Sequence, residues 1–214
     1  GRDLLSRLVL GARISLPLAL GASLISIVWG TLVGVYAGYA EGWFGLLLMR
    51  LADMQIAMPY LVVAIAIIAV LGPNLFTLIV TLAIFGWATY ARVAHAEVLA
   101  IKKREHILAT YSLGAPEYRI ILLHILPNVL SPLIVLWTFN VAQLIIVESA
   151  LSFLGLGIQP PNPSWGSMLS DGREHLSTAW WLATFPGLAI MLTVLAINLV
   201  GDRLRDILDP RLLR

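Results

Sequence analysis

Long uncharged apolar runs alternate with short charged stretches along this chain, and the alternation defines its elements. Four windows carry no Asp, Glu, Lys or Arg: residues 14–40, 54–91, 120–147 and 175–201. About 20 apolar residues in an α-helix span the hydrocarbon core of a bilayer. The second window is too long for one crossing, and Gly72-Pro73-Asn74 near its middle is a turn signal that divides it. The pattern predicts five transmembrane helices, near 16–38, 55–71, 75–93, 127–147 and 179–200.

The flanks add detail. Residues 2–14 set Leu4, Leu5, Leu8 and Ile14 against Arg2, Asp3, Arg7 and Arg13 at helical spacing. That pattern suits either a helix lying in the interface or a charged lead-in to the first span. Gly30, Gly34 and Gly38 fall on one helix face, where small residues let two backbones approach, so they mark packing. Arg50 and Asp53 stand at i, i+3, a spacing at which they pair on one face. Pro59 bends or restarts the helix there. The third span ends at Tyr90-Ala91-Arg92, with Arg92 reaching to the interface. After residue 147 the chain leaves the bilayer into a loop of about 148–178. Its glycines and prolines exclude regular helix near 155–165, and Trp165, Trp180 and Trp181 suit an interfacial aromatic belt.

Composition agrees with the membrane class. The chain has 214 residues, 59% hydrophobic and 12% charged, against about 25% charged in soluble domains. It reads as one transmembrane domain over 1–214. There is no cysteine, which excludes disulfides, thiolate metal sites and cysteine nucleophiles. The pI near 9.2 reports membrane orientation rather than nucleic-acid binding. With five spans, a cytoplasmic 104–128 loop puts ten Lys and Arg on its side: Arg50, Arg92, Lys102, Lys103, Arg104, Arg119, Arg203, Arg205, Arg211 and Arg214. Four, Arg2, Arg7, Arg13 and Arg173, remain on the other. The asymmetry predicts a cytoplasmic C-terminus. The three N-terminal arginines and the initial Gly1 lead to the expectation of a further span before residue 1.

The 104–128 stretch is the place to look for function. Lys102 to Ser112 is basic and helix-capable, Leu113-Gly114-Ala115 breaks it, and Pro116 at a first helical position with Glu117 behind it starts a second helix. That helix runs through Tyr118-Arg119-Ile120 and ends where Pro127 opens the next span. The product is a helix–turn–helix elbow with its tip near 113–119, a shape that docks into a partner and moves spans as rigid bodies. A merely solvated connector would be shorter and more polar.

Absences narrow the function. There is no GxxxxGK[ST] phosphate loop, no HExxH, no GxSxG and no clustered His/Asp/Glu set, so nothing marks an ATPase, a hydrolase or a metal centre. His95, His106, His124 and His175 are scattered over loops and span ends and read as interfacial polar residues. A secondary transporter would want an inverted repeat and buried midplane acids, and neither is evident. An intramembrane protease would want paired acids or a Ser/His pair inside spans. Polar residues inside spans, Asn140, Gln143 and Glu148, with Asn198 a further candidate, line a path or bond between helices.

At these residues a resemblance enters. The elbow resembles the EAA loop of ABC-importer permeases, EAA-x3-G-x9-I-x-L-P. Gly114 takes the glycine and Leu126-Pro127 falls in register, while Leu108-Ala109-Thr110 replaces the EAA triplet and His124 the isoleucine. Those departures are similar to the peptide/nickel subgroup, EYVxAAxALGAS…RHILPN, which Glu105, Ala109, Leu113, Gly114, Ala115 and His124 to Asn128 fit. GRDLLSRLVLGARISL at 1–16, MRLAD at 49–53, SFLGLGIQPPNPSWGSML at 152–169 and FPGLAIMLTVLAINLVGDRLRDILDPRL at 185–212 also resemble DppC/OppC-type permeases.

The resemblance implies an all-α, polytopic type I importer (MetI-like) permease fold with its first helix before residue 1. It implies a channel-forming subunit moving di- or oligopeptides across a bacterial or archaeal cytoplasmic membrane, with nickel-chelate or other small solutes as the alternative. The implied partners are a DppB/OppB-type permease subunit, two ATP-binding subunits carrying ATP and Mg, and an extracytoplasmic solute-binding protein. The chain itself would hold no catalytic residue, cofactor or metal. The ATPase contacts would be Leu113, Gly114, Ala115, Pro116, Glu117, Tyr118 and Arg119, with Glu105 and Ala109 supporting the elbow, in a coupling loop of about 102–126. Gln159, Pro160, Pro161 and Trp165 would face the binding protein.

Overall fold

The computed structural model describes residues 3–40 and 42–208, and it is helical apart from turns and one loop. The elements are α1 (Leu4–Tyr39), α2 (Trp43–Ala57), α3 (Tyr60–Leu71), α4 (Leu75–Lys102), α5 (Glu105–Ser112), α6 (Glu117–Ile120), a π-helical turn (Ile121–Ile125), α7 (Leu126–Phe153), α8 (Trp165–Arg173) and α9 (Trp181–Leu208). Arg2, Arg211 and Arg214 of the charge asymmetry, with the rest of the tail from 209, lie outside the described residues.

Among the described residues four continuous helices are long and apolar enough to cross a bilayer: Leu4–Tyr39, Leu75–Lys102, Glu117–Phe153 and Trp181–Leu208. They contain four of the five predicted spans. The span predicted near 55–71 takes the form of a broken pair, α2 and α3, bent by 93°, which counted as one span brings the total to five. Pro59 is the cause. It supplies no N–H, and it forces Met58 out of the helical region, to φ −81° and ψ 139°. The 12 residues of α3 reach about 18 Å, short of the ~30 Å hydrocarbon thickness.

Other boundaries also differ from expectation. Residues 4–14 are the first turns of α1 itself, so the charged lead-in and the first span are one helix of 36 residues. Asp3 caps it, accepting from Ser6 N at 3.0 Å, Leu5 N at 3.3 Å and the Ser6 hydroxyl. These bonds, the Ser6 hydroxyl's first, hold the Asp3 carboxyl below the ordinary carboxylate range. The Gly72-Pro73-Asn74 turn forms as predicted: Gly72 sits at φ 87° and Asn74 Oδ1 accepts from Thr77 N at 2.8 Å. Helix α4 does not end at Arg92 but runs ten residues on to Lys102. The helix beginning at Glu117 does not stop at Pro127. A π-helical turn immediately before that proline loosens the backbone where its ring would crowd the preceding turn, and the helix continues to Phe153.

Packing divides the chain into two compact units. The first comprises Gly1–Leu24, Pro59–Ile84 and Thr138–Gly201. Here α8 is seated on the start of α1: the Trp165 indole N–H donates to Leu8 O at 3.0 Å, and a Cβ on Gly11 would stand 2.9 Å from Trp165 Cδ1. A capping box, with Ser164 and Ser167 each accepting the other's backbone N–H, starts α8.

The second unit comprises Ile25–Met58, Phe85–Trp137 and Asp202–Arg214. Its core gathers Val35, Tyr90, Val98, Ile101, Ile107, Ile120, Ile125 and Leu133. Gly30, Gly34 and Gly38 lay α1 against α4, as their spacing predicts. A Cβ on them would reach 2.7 Å from Tyr90 Cβ, 2.7 Å from Ala94 Cβ and 2.8 Å from Val98 Cβ. Asp53 of α2 pairs with Arg92 of α4 at 2.9 Å, in place of the expected Arg50–Asp53 pair.

Candidate functional site: an exposed elbow between two long helices

The elbow forms as its residue types dictate, inside the second unit. Glu105 opens α5, its charge favoured at the positive end of the helix. The helix ends in a Schellman turn: Gly114 N donates to Tyr111 O at 2.9 Å and Ala115 N to Thr110 O at 3.3 Å. Gly114 holds φ 76°, a left-handed conformation that a side chain disfavours. Pro116 is the N-cap of α6 rather than its first helical residue, with Glu117 in the first turn.

The predicted contact residues are brought together on this corner. Leu113 is 87% exposed and Tyr118 67%. Glu105, Ala109, Gly114, Pro116, Glu117 and Arg119 are exposed as well, and Ala115 is half-buried against the unit's core. Beneath the corner Ile107 and Ile120 are fully buried and anchor its two arms. Leu113 and Tyr118 thus form an exposed, bulky apolar pair on a stiff, glycine-pivoted turn. His106 and His124 bring their rings to 6.4 Å. Among the described residues no group of three His, Cys, Asp or Glu could hold a metal ion.

The other predicted sites are dispersed. Asn140 is half-buried and Gln143 exposed. Glu148 is fully buried in the first unit, where Ser152 Oγ donates to its Oε1 at 2.7 Å. At 100° per residue Glu148 lies on a different side of α7 from Gln143, so the three do not form one stripe. In the loop, Gln159, Pro160 and Pro161 are exposed, and Gln159 Nε2 donates to Gly155 O at 3.1 Å and Gly157 O at 3.2 Å. Trp165 is 4% exposed. It is turned inward onto α1, which takes it away from both the loop's outer face and an aromatic belt, whereas Trp180 and Trp181 are exposed. Sequence reasoning missed Tyr39 and Tyr111, whose hydroxyls meet at 2.6 Å across 72 positions with no local signal.

Known proteins share this architecture and sequence. The profile of the family described as "Binding-protein-dependent transport system inner membrane component" matches residues 30–214. The di/tripeptide transport system permease protein DppC of Pseudomonas aeruginosa (strain UCBPP-PA14) is 46% identical over 212 residues, 99% of this chain and 70% of that protein. The glutathione transport system permease protein GsiD of Pectobacterium atrosepticum is 42% identical over the same shares. Among solved structures, an inward-facing MetNI methionine ABC transporter aligns with TM-score 0.76 at 17% identity, over 98% of this chain and 99% of that one. An amino acid ABC transporter with histidines aligns with TM-score 0.68 at 16% identity, over 99% of both chains. These structural likenesses speak for the fold.

Proposed function

Because the chain belongs to the family of binding-protein-dependent transport system inner membrane components, we propose that it is the channel-forming subunit of an ATP-driven importer of short peptides. Its apolar helices and its family make it a multi-pass membrane protein. The relatives' names, a di/tripeptide permease and a glutathione permease, support di- and oligopeptides as the substrate class.

The observation that carries the reading is the elbow. Leu113 and Tyr118 stand exposed on a corner whose arms are rooted in the core by Ile107 and Ile120. In this reading Leu113 to Arg119 seat in an ATPase subunit, with Glu105 and Ala109 supporting the arm. Closure of two ATPase subunits displaces the corner, and the long helices move between two arrangements as rigid bodies. ATP and Mg sit on those partners, and this chain performs no catalysis. A second permease of DppB/OppB type completes the pore. An extracytoplasmic binding protein delivers substrate to the loop around Gln159, Pro160 and Pro161. The excess of Lys and Arg on the elbow's side supports a cytoplasmic elbow and C-terminus. Asn140 and Gln143 are the candidates for the path through α7.

The test is reconstitution of the chain with its second permease, ATPases and binding protein in proteoliposomes. Uptake of a labelled dipeptide should require ATP hydrolysis on the ATPase side. Uptake driven by a proton gradient without ATP would overturn the proposal.

A further inference from the structure

Three helices meet at Tyr39 in the second unit. Tyr39 is the last residue of α1, Lys102 the last of α4, and Tyr111 lies in the final turn of α5, just before the Gly114 corner. Lys102 Nζ donates to the Tyr39 carbonyl at 3.1 Å and stands 5.1 Å from the centroid of its ring. Carbonyls in a helix's last turn lack intrahelical donors and carry partial negative charge, so an ammonium is favoured there. The ring face adds to the attraction. Above this clamp the Gly30, Gly34 and Gly38 contacts hold α1 and α4 backbone to backbone. Over this stretch the two helices form one body.

The elbow is attached to that body differently. Helix α5 has eight residues, too few to persist alone in water. Its hydroxyls mostly turn inward on the helix: Thr110 donates to His106 O at 2.7 Å and Ser112 to Leu108 O at 3.1 Å. Tyr111 is the exception, donating its hydroxyl to that of Tyr39 at 2.6 Å. Among the described residues this is the side-chain hydrogen bond by which α5 itself reaches another helix. Ile107 and Ile120 anchor the elbow by non-directional packing, and this hydrogen bond adds a directional contact that holds one register. On the far arm Glu117 faces an open hollow beside Val35, Tyr36 and Tyr39, so that side is not packed tight.

We infer that Tyr39 and Tyr111 are positioning residues that fasten the elbow to the joined α1–α4 body, so that a displacement of the corner is delivered to those two helices. The inference rests on the coupling role proposed for the elbow. It names the contact through which that coupling enters this subunit.

The test uses the complete transporter in proteoliposomes and reads ATP hydrolysed per peptide taken up. Tyr39→Phe and Tyr111→Phe each delete the same bond and little volume. Each should raise the ratio about three- to tenfold, the worth of one hydrogen bond. The double variant should go no further than either single, because one interaction is lost once. A merely structural role would lower the melting midpoint and leave the ratio at the wild-type value, and that result overturns the inference. A double variant whose effect is the product of the two singles overturns it too. Leu113→Glu separates the two levels of failure. If it uncouples while both Phe variants keep the wild-type ratio, this inference alone falls; if it transports normally, the coupling role falls with it.

Discussion

Asp53 of α2 holds Arg92 of α4 at 2.9 Å, with side-chain exposures of 33% and 55%. An ion pair this open contributes about 0–1 kcal/mol. Asp53→Asn should lower the melting midpoint of the solubilised complex by no more than ~4 °C. Exchanging the charges, Asp53→Arg with Arg92→Asp, should restore most of it. The difference should shrink as salt rises, since exposed pairs are screened. A drop that is large and independent of salt would show that the pair is sealed from water.

Glycines of α1 should divide sharply by position. A Cβ on Gly34 would stand 2.7 Å from Ala94 Cβ and 2.9 Å from Ala91 Cα, whereas one on Gly21 meets nothing within 4 Å. Gly34→Val must push α1 off α4 and should cost ~1–3 kcal/mol. Gly21→Ala should be neutral or slightly stabilising. Thermal unfolding of the two variants side by side checks this, and equal effects would contradict close packing at the Gly30–Gly38 face.

Glu148 is fully buried with Ser152 as its donor. Glu148→Ala leaves the buried Ser152 hydroxyl without its acceptor and should cost ~1–3 kcal/mol. Glu148→Gln keeps an acceptor oxygen and should cost less. Were Glu148 instead a lining residue of the path, Glu148→Gln would cut peptide uptake while the melting midpoint stayed put.

The cap of α1 should respond to pH. Hydrogen bonds from Ser6 and Leu5 hold the Asp3 carboxyl below its ordinary range, so the folded form favours the ionised state. The contribution is complete above the ordinary Asp value, near about 3.9, and is lost as pH falls through the lower folded value. Amide exchange of Leu5 and Ser6, corrected for intrinsic rates, should lose protection below about pH 4. In Asp3→Ala it should be low and unchanging. A protection that ignores pH in the wild-type chain would remove Asp3 as the cap.

The features legible in the sequence were those governed by local chemistry. Charge-free windows located four continuous spans, and the Gly72-Pro73-Asn74 and Gly114 turns followed from what glycine and proline allow in the backbone. Proline was the weak point in both directions. Pro59 put a 93° break into a predicted crossing, while Pro127 was absorbed by a π-helical turn. A proline's cost depends on whether neighbouring backbone relaxes around it, which residue type does not encode. Partner choice was hidden for a related reason. Asp53 had Arg50 within a helical turn yet pairs with Arg92, and Trp165, which opens α8 just after a proline-rich loop, lies buried on Leu8 and Gly11. Those contacts depend on which helices meet, and the spacing along one helix carries no record of it.

The most direct measurement of the central claim is peptide uptake by proteoliposomes carrying Leu113→Glu. Leu113 is 87% exposed and buries little against its own chain, so the variant should fold with an unchanged melting midpoint. If the corner seats in an ATPase, the new charge meets that partner's apolar groove. ATP-driven uptake should fall by about tenfold or more, as for a buried charge left without a partner, and the ATPase subunits should no longer co-purify with the complex. Wild-type uptake together with normal ATPase retention would contradict the assignment of this corner as the point where ATP hydrolysis takes hold.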